Sequence, residues 1–236
     1  MKEITVTDSA VRAESVTYIY ERLKSLAEET GGEAKLKFGA RATIRIKCPS
    51  SFADFLRSET EDKIADVVAV NYKYVYFKKR IEAAGLSALD REILYSAIIA
   101  ADVEDDKRYV VRKIRQFEEY PIDGLFNFRL QPLKRKWSEI AGYIPSYFSK
   151  SQLKEFVAYL IGEKRGKRAR VDGGEVYDVN FNRLKRTLLT GKNEEGRIIR
   201  EVILSACGDV DVMTKLPEKD EKYLREFYGK RAHFLF

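Results

Sequence analysis

"GLFNFRLQPLKRKW" (residues 124–137) holds two phenylalanines with one residue between them, then a basic run and the chain's only tryptophan. On a strand, Phe126 and Phe128 would share one pleated face, an aromatic platform of the kind that stacks nucleic-acid bases. On a helix they would point apart. The RNA-recognition signature needs a base, a glycine, and aromatics one, three and six places after it. Here Asp123 precedes Gly124, and the aromatics lie two and four places after it. The helical reading fits better. Phe126, Leu130, Leu133, Trp137, Ile140 and Ile144 are spaced 4, 3, 4, 3 and 4. At about 100° per residue they occupy a stripe roughly 80° wide. Lys134, Arg135 and Lys136 cover the outer side. Asp123 is the expected N-cap. Pro132 removes a backbone hydrogen bond and crowds the Phe128 carbonyl, at about 3 kcal/mol unless the helix bends. A kinked helix over about 124–144 is therefore predicted, with a start at Pro132 as the alternative.

Working outward, the first 50 residues read β-α-β-β. "KEITVTD" alternates, Val16, Ile19, Tyr20, Leu23 and Leu26 recur at helical steps, and Gly31–Gly32 stops that helix. "EAKLKFGARATIRIKCP" reads as a hairpin turning at Gly39. Residues 51–162 are helical in pattern. "TEDKIADVVAVNYKYVYFKKRI" has no breaker. Ser87 with Asp90 marks a helix start, and Leu89, Ile93 and Ala97 follow on one face. Val110, Ile114 and Phe117 form another stripe, as do Leu153, Val157 and Leu160. From 163 onward the pattern is β-β-α-β-α-β. "GEVYDVNF" and "RTLLTG" are strand candidates, "EEGRIIREVILSACG" a helix, "VDVMTKL" a strand, "PEKDEKYLREFYG" a helix and "KRAHFLF" a strand. The fold class expected is α+β, in three segments: 1–50, 51–162 and 163–236. Whether the two strand-bearing segments share one sheet is open.

Composition narrows the function classes. Of 236 residues, 34% are charged and 44% hydrophobic, which suits a folded chain. No uncharged apolar run approaches the roughly 20 residues of a membrane span. The N-terminus lacks the apolar core of a signal peptide, so a cytoplasmic location is expected. Two cysteines, Cys48 and Cys207, are too few for a disulfide scaffold or a thiolate metal site and read as buried thiols. The single histidine, His233, leaves little room for histidine-based metal sites or triads. Neither cofactor nor metal is expected, and no catalytic residue is assigned.

The net charge of +7 is concentrated. Residues 121–200 carry 17 Lys/Arg against 9 Asp/Glu, and the rest of the chain is nearly balanced. The densest run, "GEKRGKRARVDGG" (162–174), supplies Lys164, Arg165, Lys167, Arg168 and Arg170, and "RLKR" adds Arg183, Lys185 and Arg186. These eight are the candidate nucleic-acid contacts. They would bind phosphate backbone in a salt-dependent, largely sequence-independent way, or else form a solvated basic loop. The spacings around Gly162–Gly166–Lys167 and Gly191–Gly196–Arg197 do not match a phosphate-binding loop. The tyrosines of "NYKYVYFKKR" read as packed amphipathic side chains rather than a strand-binding face. Asp105–Asp106 and Glu118–Glu119 read as helix-end charges.

"IDGLFNFRLQPLKRKW" resembles the Gly-aromatic-x-x-Phe-Arg-Leu segment that opens a helix in the YtxC-like family of sporulation proteins. Gly124, Phe128 and Arg129 match best. The order of elements over residues 55–236 is also similar. Pro132 and a C-terminus without cysteine depart from that pattern. The resemblance implies a cytosolic, sporulation-associated protein with no established activity, and it supplies no catalytic residues. The expectation is thus a protein that binds rather than catalyses, with a nucleic acid or an acidic protein as its partner. A dedicated nucleic-acid-binding protein using 164–186 is the alternative.

Overall fold

A computed structural model of the chain describes residues 1–115, 117–164, 166–191 and 193–236. The class is α+β, with strands toward both ends and helices between them. Two compact units divide the chain. One is Met1–Lys73 with Val103–Ser138; the other is Tyr74–Asp102 with Glu139–Phe236. The strand-bearing ends form separate four-stranded sheets.

The first unit contains β1 (Lys2–Ser9), α1 (Ala13–Glu29), β2 (Glu33–Lys37) and β3 (Arg41–Cys48), as the alternation implies. β1 runs antiparallel to β3, pairing Ile4 with Ile46 and Val6 with Ile44. That register sends Ile4, Val6, Ala42, Ile44, Ile46 and Cys48 into the core, against the face of α1 that carries Val16, Ile19 and Leu23. Gly32 is required where α1 turns into β2, because a Cβ there would lie 2.2 Å from the Lys47 carbonyl oxygen. Helix continues through α2 (Ala53–Asp66), a widened π-helical stretch at Val67–Tyr72, and α3 (Lys73–Lys78). The stretch is apolar nearly all round, so it is buried on every side.

α4 (Ala88–Ile114) follows, its helical backbone interrupted at Asp102 (φ −138°, ψ 19°). Its start is the predicted Ser87–Asp90 box: Ser87 donates to the Asp90 carboxylate at 2.7 Å, and the Asp90 N–H donates to the Ser87 hydroxyl at 3.2 Å. A strand that the alternation pattern did not disclose comes next, β4 (Glu119–Pro121). It adds to the sheet edge parallel to β1, giving the order β2-β3-β1-β4. Three residues ending in proline carry no readable period; the long β1 supplies the ladder.

The deciding stretch is helical, but it is two helices rather than one kinked rod. α5 (Ile122–Phe128) ends at Arg129, whose N–H donates to Leu125 O at 2.8 Å. α6 (Gln131–Tyr143) then places Pro132 in its first turn, where a missing N–H costs nothing because those groups have no intrahelical partner. Most of the predicted stripe survives the break: Phe126, Leu130, Leu133 and Trp137 are buried. Ile140 and Ile144 are only part-buried. The Phe126 ring sits 4.5 Å from that of Tyr72 and 5.7 Å from that of Trp137. Phe128 is 80% exposed. The two phenylalanines share no strand.

In the second unit α7 (Lys150–Glu163) starts at a Ser149–Gln152 capping box. Then come β5 (Arg168–Asp172), β6 (Glu175–Tyr177), α8 (Arg197–Leu204), β7 (Asp209–Val212), α9 (Glu218–Tyr228) and β8 (Ala232–Phe234), in the predicted β-β-α-β-α-β order. The sheet order is β6-β5-β7-β8, with β5, β7 and β8 parallel. Two details differ from expectation. "RTLLTG" is a 3-10 turn (Arg186–Leu189), because Glu201 of α8 gathers the N–H groups of Arg186 and Thr187, each at 2.7 Å. Part of the basic run is a strand, β5, held by pairing with β6 and β7. Cys48 and Cys207 are buried thiols, as expected. No helix among the described residues is long and apolar enough to cross a membrane.

Candidate functional site

Seven of the eight basic residues singled out in the sequence are described, all in the second unit, and the structure gives four of them, Lys164, Arg168, Arg183 and Arg186, hydrogen-bond or ion-pair partners. Arg168 and Arg170 face outward on β5, opposite Asp209 and Asp211 of β7. Arg168 contacts both Asp211 carboxylate oxygens, at 3.1 and 3.0 Å. Arg183 forms a two-point pair with Glu175. Arg186 donates to Leu204 O at 2.8 Å, and Lys164 donates to Ala101 O at 3.3 Å. Lys167 is exposed and Lys185 half-buried. Arg165 lies outside the described residues. The strand period that exposes Arg168 and Arg170 also exposes the acids beside them, so the face is a mosaic of both signs.

One feature of this region points outward. Asp178 accepts the N–H groups of Asn180 and Asn182, each at 2.9 Å, and closes a tight loop. Phe181 at its tip is 67% exposed and held at φ 61°, in the left-handed region. That conformation costs a non-glycine residue about 1–2 kcal/mol. The Arg170 guanidinium lies 5.4 Å from its ring, and Arg170 Nε has no hydrogen-bond partner among the described residues.

A more concentrated positive site lies elsewhere in the same unit. The last turn of α3 carries Lys78, followed at once by Lys79 and Arg80, all exposed. The first turns of α4 present Arg91, Glu92 and Tyr95 one helical turn apart or less. Between them lies a groove of about 510 Å³. Four cations line it, Lys78, Lys79, Arg80 and Arg91, against two carboxylates, Glu82 and Glu92. The connecting loop is held in place. Tyr95 donates to Ile81 O at 3.0 Å, the Ala84 N–H to Ser146 O at 2.8 Å, and the Phe148 N–H to Ala84 O at 2.8 Å. Gly85 takes φ 94°, and a Cβ there would come 2.6 Å from the Tyr147 ring.

Glu92 is the centre of the groove's electrostatics. The Tyr74 hydroxyl donates to its two oxygens at 2.9 and 2.8 Å. Burial, and then this carboxylate, push the Tyr74 phenol well above its ordinary range, so it stays protonated and donates. Lys78 Nζ stands 3.6 Å from one oxygen. The Arg200 guanidinium of α8 stands 4.0 Å from the other and is fully buried. Arg200 also donates to Thr190 Oγ1 at 3.4 Å and to Asn193 O, while its Nε has no hydrogen-bond partner among the described residues. The arrangement can hold an anion. The sequence contained a trace of it in "KKR" ending one helix and a capped start eight residues later. It did not show that Arg200, more than a hundred residues away, would come to the same carboxylate.

The first unit has its own buried polar groups. Asp8, on β1, is fully buried and accepts from Ser9 N at 2.7 Å and from the Tyr72 hydroxyl at 2.9 and 3.0 Å. Burial pushes its carboxyl up to about 6, with the Tyr72 hydrogen bond opposing. Tyr72 ends the π-helical stretch, beside Asn71, which accepts from Arg12 and from Ser15 at 3.2 Å each. Lys73, Trp137 and Lys136 all donate to Asp106, at 2.8, 2.9 and 2.7 Å. Among the described residues no group of three or more His, Cys, Asp or Glu is arranged to hold a metal ion.

Fold and site define an α+β protein whose second unit carries a basic groove backed by a buried arginine. Comparison with protein-family models, with curated proteins and with solved structures finds no match to the chain.

Proposed function

We propose that this protein works by binding, and that its ligand is an anion taken up in the groove between the end of α3 and the start of α4. The observation that carries this reading is the convergence of four cations on one small-molecule-sized concavity against two carboxylates. A field of that sign attracts phosphate-bearing ligands and weakens with added salt. The test is a titration with pyrophosphate by calorimetry at 50 and 200 mM salt. It compares wild type with a variant carrying Lys79→Ala, Arg80→Ala and Arg91→Ala. Binding at low salt that weakens at high salt, and falls at least tenfold in the variant, supports the reading. Equal binding by the two proteins sinks it.

A second reading is favoured by Phe181: nucleic acid stacking on that exposed ring, with Arg170 beside it and Lys164, Lys167, Arg168, Arg183, Lys185 and Arg186 as backbone contacts. Binding of mixed single-stranded RNA and DNA that is lost in Phe181→Ala with Lys167→Glu and Arg168→Glu supports it; no binding by wild type at low salt removes it. A cytosolic setting and a role in sporulation, implied by the resemblance at residues 124–137, belong to the proposal too. Fractionation of the producing cell, and the spore yield of a strain lacking the gene, test them.

A further inference from the structure

We propose that Glu92 is a built-in counter-ion standing where a ligand's diphosphate group docks, and that binding displaces it to expose Arg200. This inference rests on the anion-binding reading of the groove and deepens it.

Two cations and a phenol converge on the Glu92 carboxylate, yet neither cation closes on it. Lys78 Nζ is 3.6 Å away and the Arg200 guanidinium 4.0 Å away. A closed charge-assisted contact runs at about 2.7–2.9 Å. Among the described residues only the Tyr74 hydroxyl makes hydrogen bonds of normal length to it. Arg200 is more deeply committed. It is fully buried on a helix whose residues 198–204 are all buried, and it leaves its Nε–H without a partner among the described residues. Burying a guanidinium with one donor unused, and with its carboxylates, Glu92 at 4.0 Å and Asp220 of α9, held off without a closed ion pair, is unfavourable for folding alone. It is what a site made for a larger anion looks like when the protein's own carboxylate fills it.

A carboxylate offers two oxygens in one plane; a diphosphate offers oxygens in several directions. With the Glu92 side chain swung out, such a group would face Lys78 at the mouth and the buried Arg200 behind the position Glu92 now occupies. The second phosphate would then face Lys79, Arg80 and Arg91 at the rim. The loop beneath is pre-organised by its contacts at Ala84 and by Tyr95, so ordering it adds little to the cost of binding. The size of the groove suits a small phosphorylated molecule.

The test is pyrophosphate binding by Glu92→Gln. Glutamine keeps an acceptor for Tyr74 and the side-chain volume but removes the competing charge. The expected result is an affinity at least tenfold above wild type, while Lys78→Met falls tenfold below it. A nucleoside diphosphate and inorganic tripolyphosphate run as parallel arms; the arm showing the larger gain in Glu92→Gln identifies the source of the diphosphate. Wild type supplies an independent readout if Glu92→Gln folds poorly: the Arg200 Nε–H resonance should shift on saturation with pyrophosphate. Wild-type binding that is weakened by Lys78→Met but not strengthened by Glu92→Gln overturns the displacement and leaves the groove reading intact. An unmoved Arg200 resonance at saturation does the same. No pyrophosphate binding by wild type or by Glu92→Gln overturns both.

Discussion

Asp8→Asn should make the first unit more stable at neutral pH, an unusual direction for a buried, hydrogen-bonded side chain. The Asp8 carboxyl is enclosed among Ser9, Tyr72 and the neighbouring sheet, and its folded pKa rises from 3.8 to about 6. The folded state therefore holds the proton more tightly than the unfolded chain does. Below about pH 4 the group is protonated in both states and costs nothing. As pH rises through 4 to 6 the unfolded chain ionises first, and stability is lost; above about 6 the loss is complete. A shift of about 2 units corresponds to at most about 3 kcal/mol, and about half that once solvent screening is allowed for. Asparagine keeps an acceptor for the Ser9 N–H and the Tyr72 hydroxyl, with no charge to desolvate. The stability of Asp8→Asn relative to wild type should thus be about 1.5–3 kcal/mol greater at pH 7 and shrink toward zero near pH 4. Urea unfolding followed by tryptophan fluorescence, from pH 4 to 8, reads this difference, since Trp137 is in the same unit. A difference that stays flat with pH, or a variant less stable at pH 7, would refute the account of Asp8 as a carboxyl held out of water at a cost.

Asp106→Ala should be severely destabilising, by about 3–5 kcal/mol, because it removes the buried carboxylate that accepts from the fully buried Lys73 ammonium and from the Trp137 N–H; urea unfolding at pH 7 measures it. Phe181→Asn should raise thermal stability by up to about 1 kcal/mol, since asparagine tolerates the left-handed backbone that the Asp178 loop imposes. No gain in Tm would mean that the loop is less constrained than its hydrogen bonds indicate.

How far the fold could be read depended on how each residue earns its place. The stripe Phe126, Leu130, Leu133 and Trp137 was visible because burial of one helix face imposes a period on the side chains. The Ser87–Asp90 start was visible because orphan N–H groups call for a local acceptor. Pro132 marks a disruption in the sequence, but whether the helix bends or breaks there depends on what packs around it. The strand Glu119–Pro121 and the 3-10 turn at Arg186–Leu189 could not be read. Each is held by a partner outside its own local window, β1 at the start of the chain in one case and Glu201, fifteen residues on, in the other. The site divided the same way. The basic density of residues 164–186 was plain, yet Asp211 and Glu175 neutralise Arg168 and Arg183. Meanwhile "KKR" at 78–80 became part of a groove.

The sequence by itself determined the α+β class, the β-α-β-β order of the first 50 residues, the closing α-β-α-β run and the helical character of the stretch that opens at Gly124. Those follow from local periodicity and from capping groups a few residues apart. The tertiary structure alone decided that the two ends build separate sheets, which basic side chains meet a carboxylate, and that Arg200 meets Glu92. Such matters are fixed by charges and carbonyls brought within a few ångströms across long stretches of chain, and electrostatic partners carry no period along it.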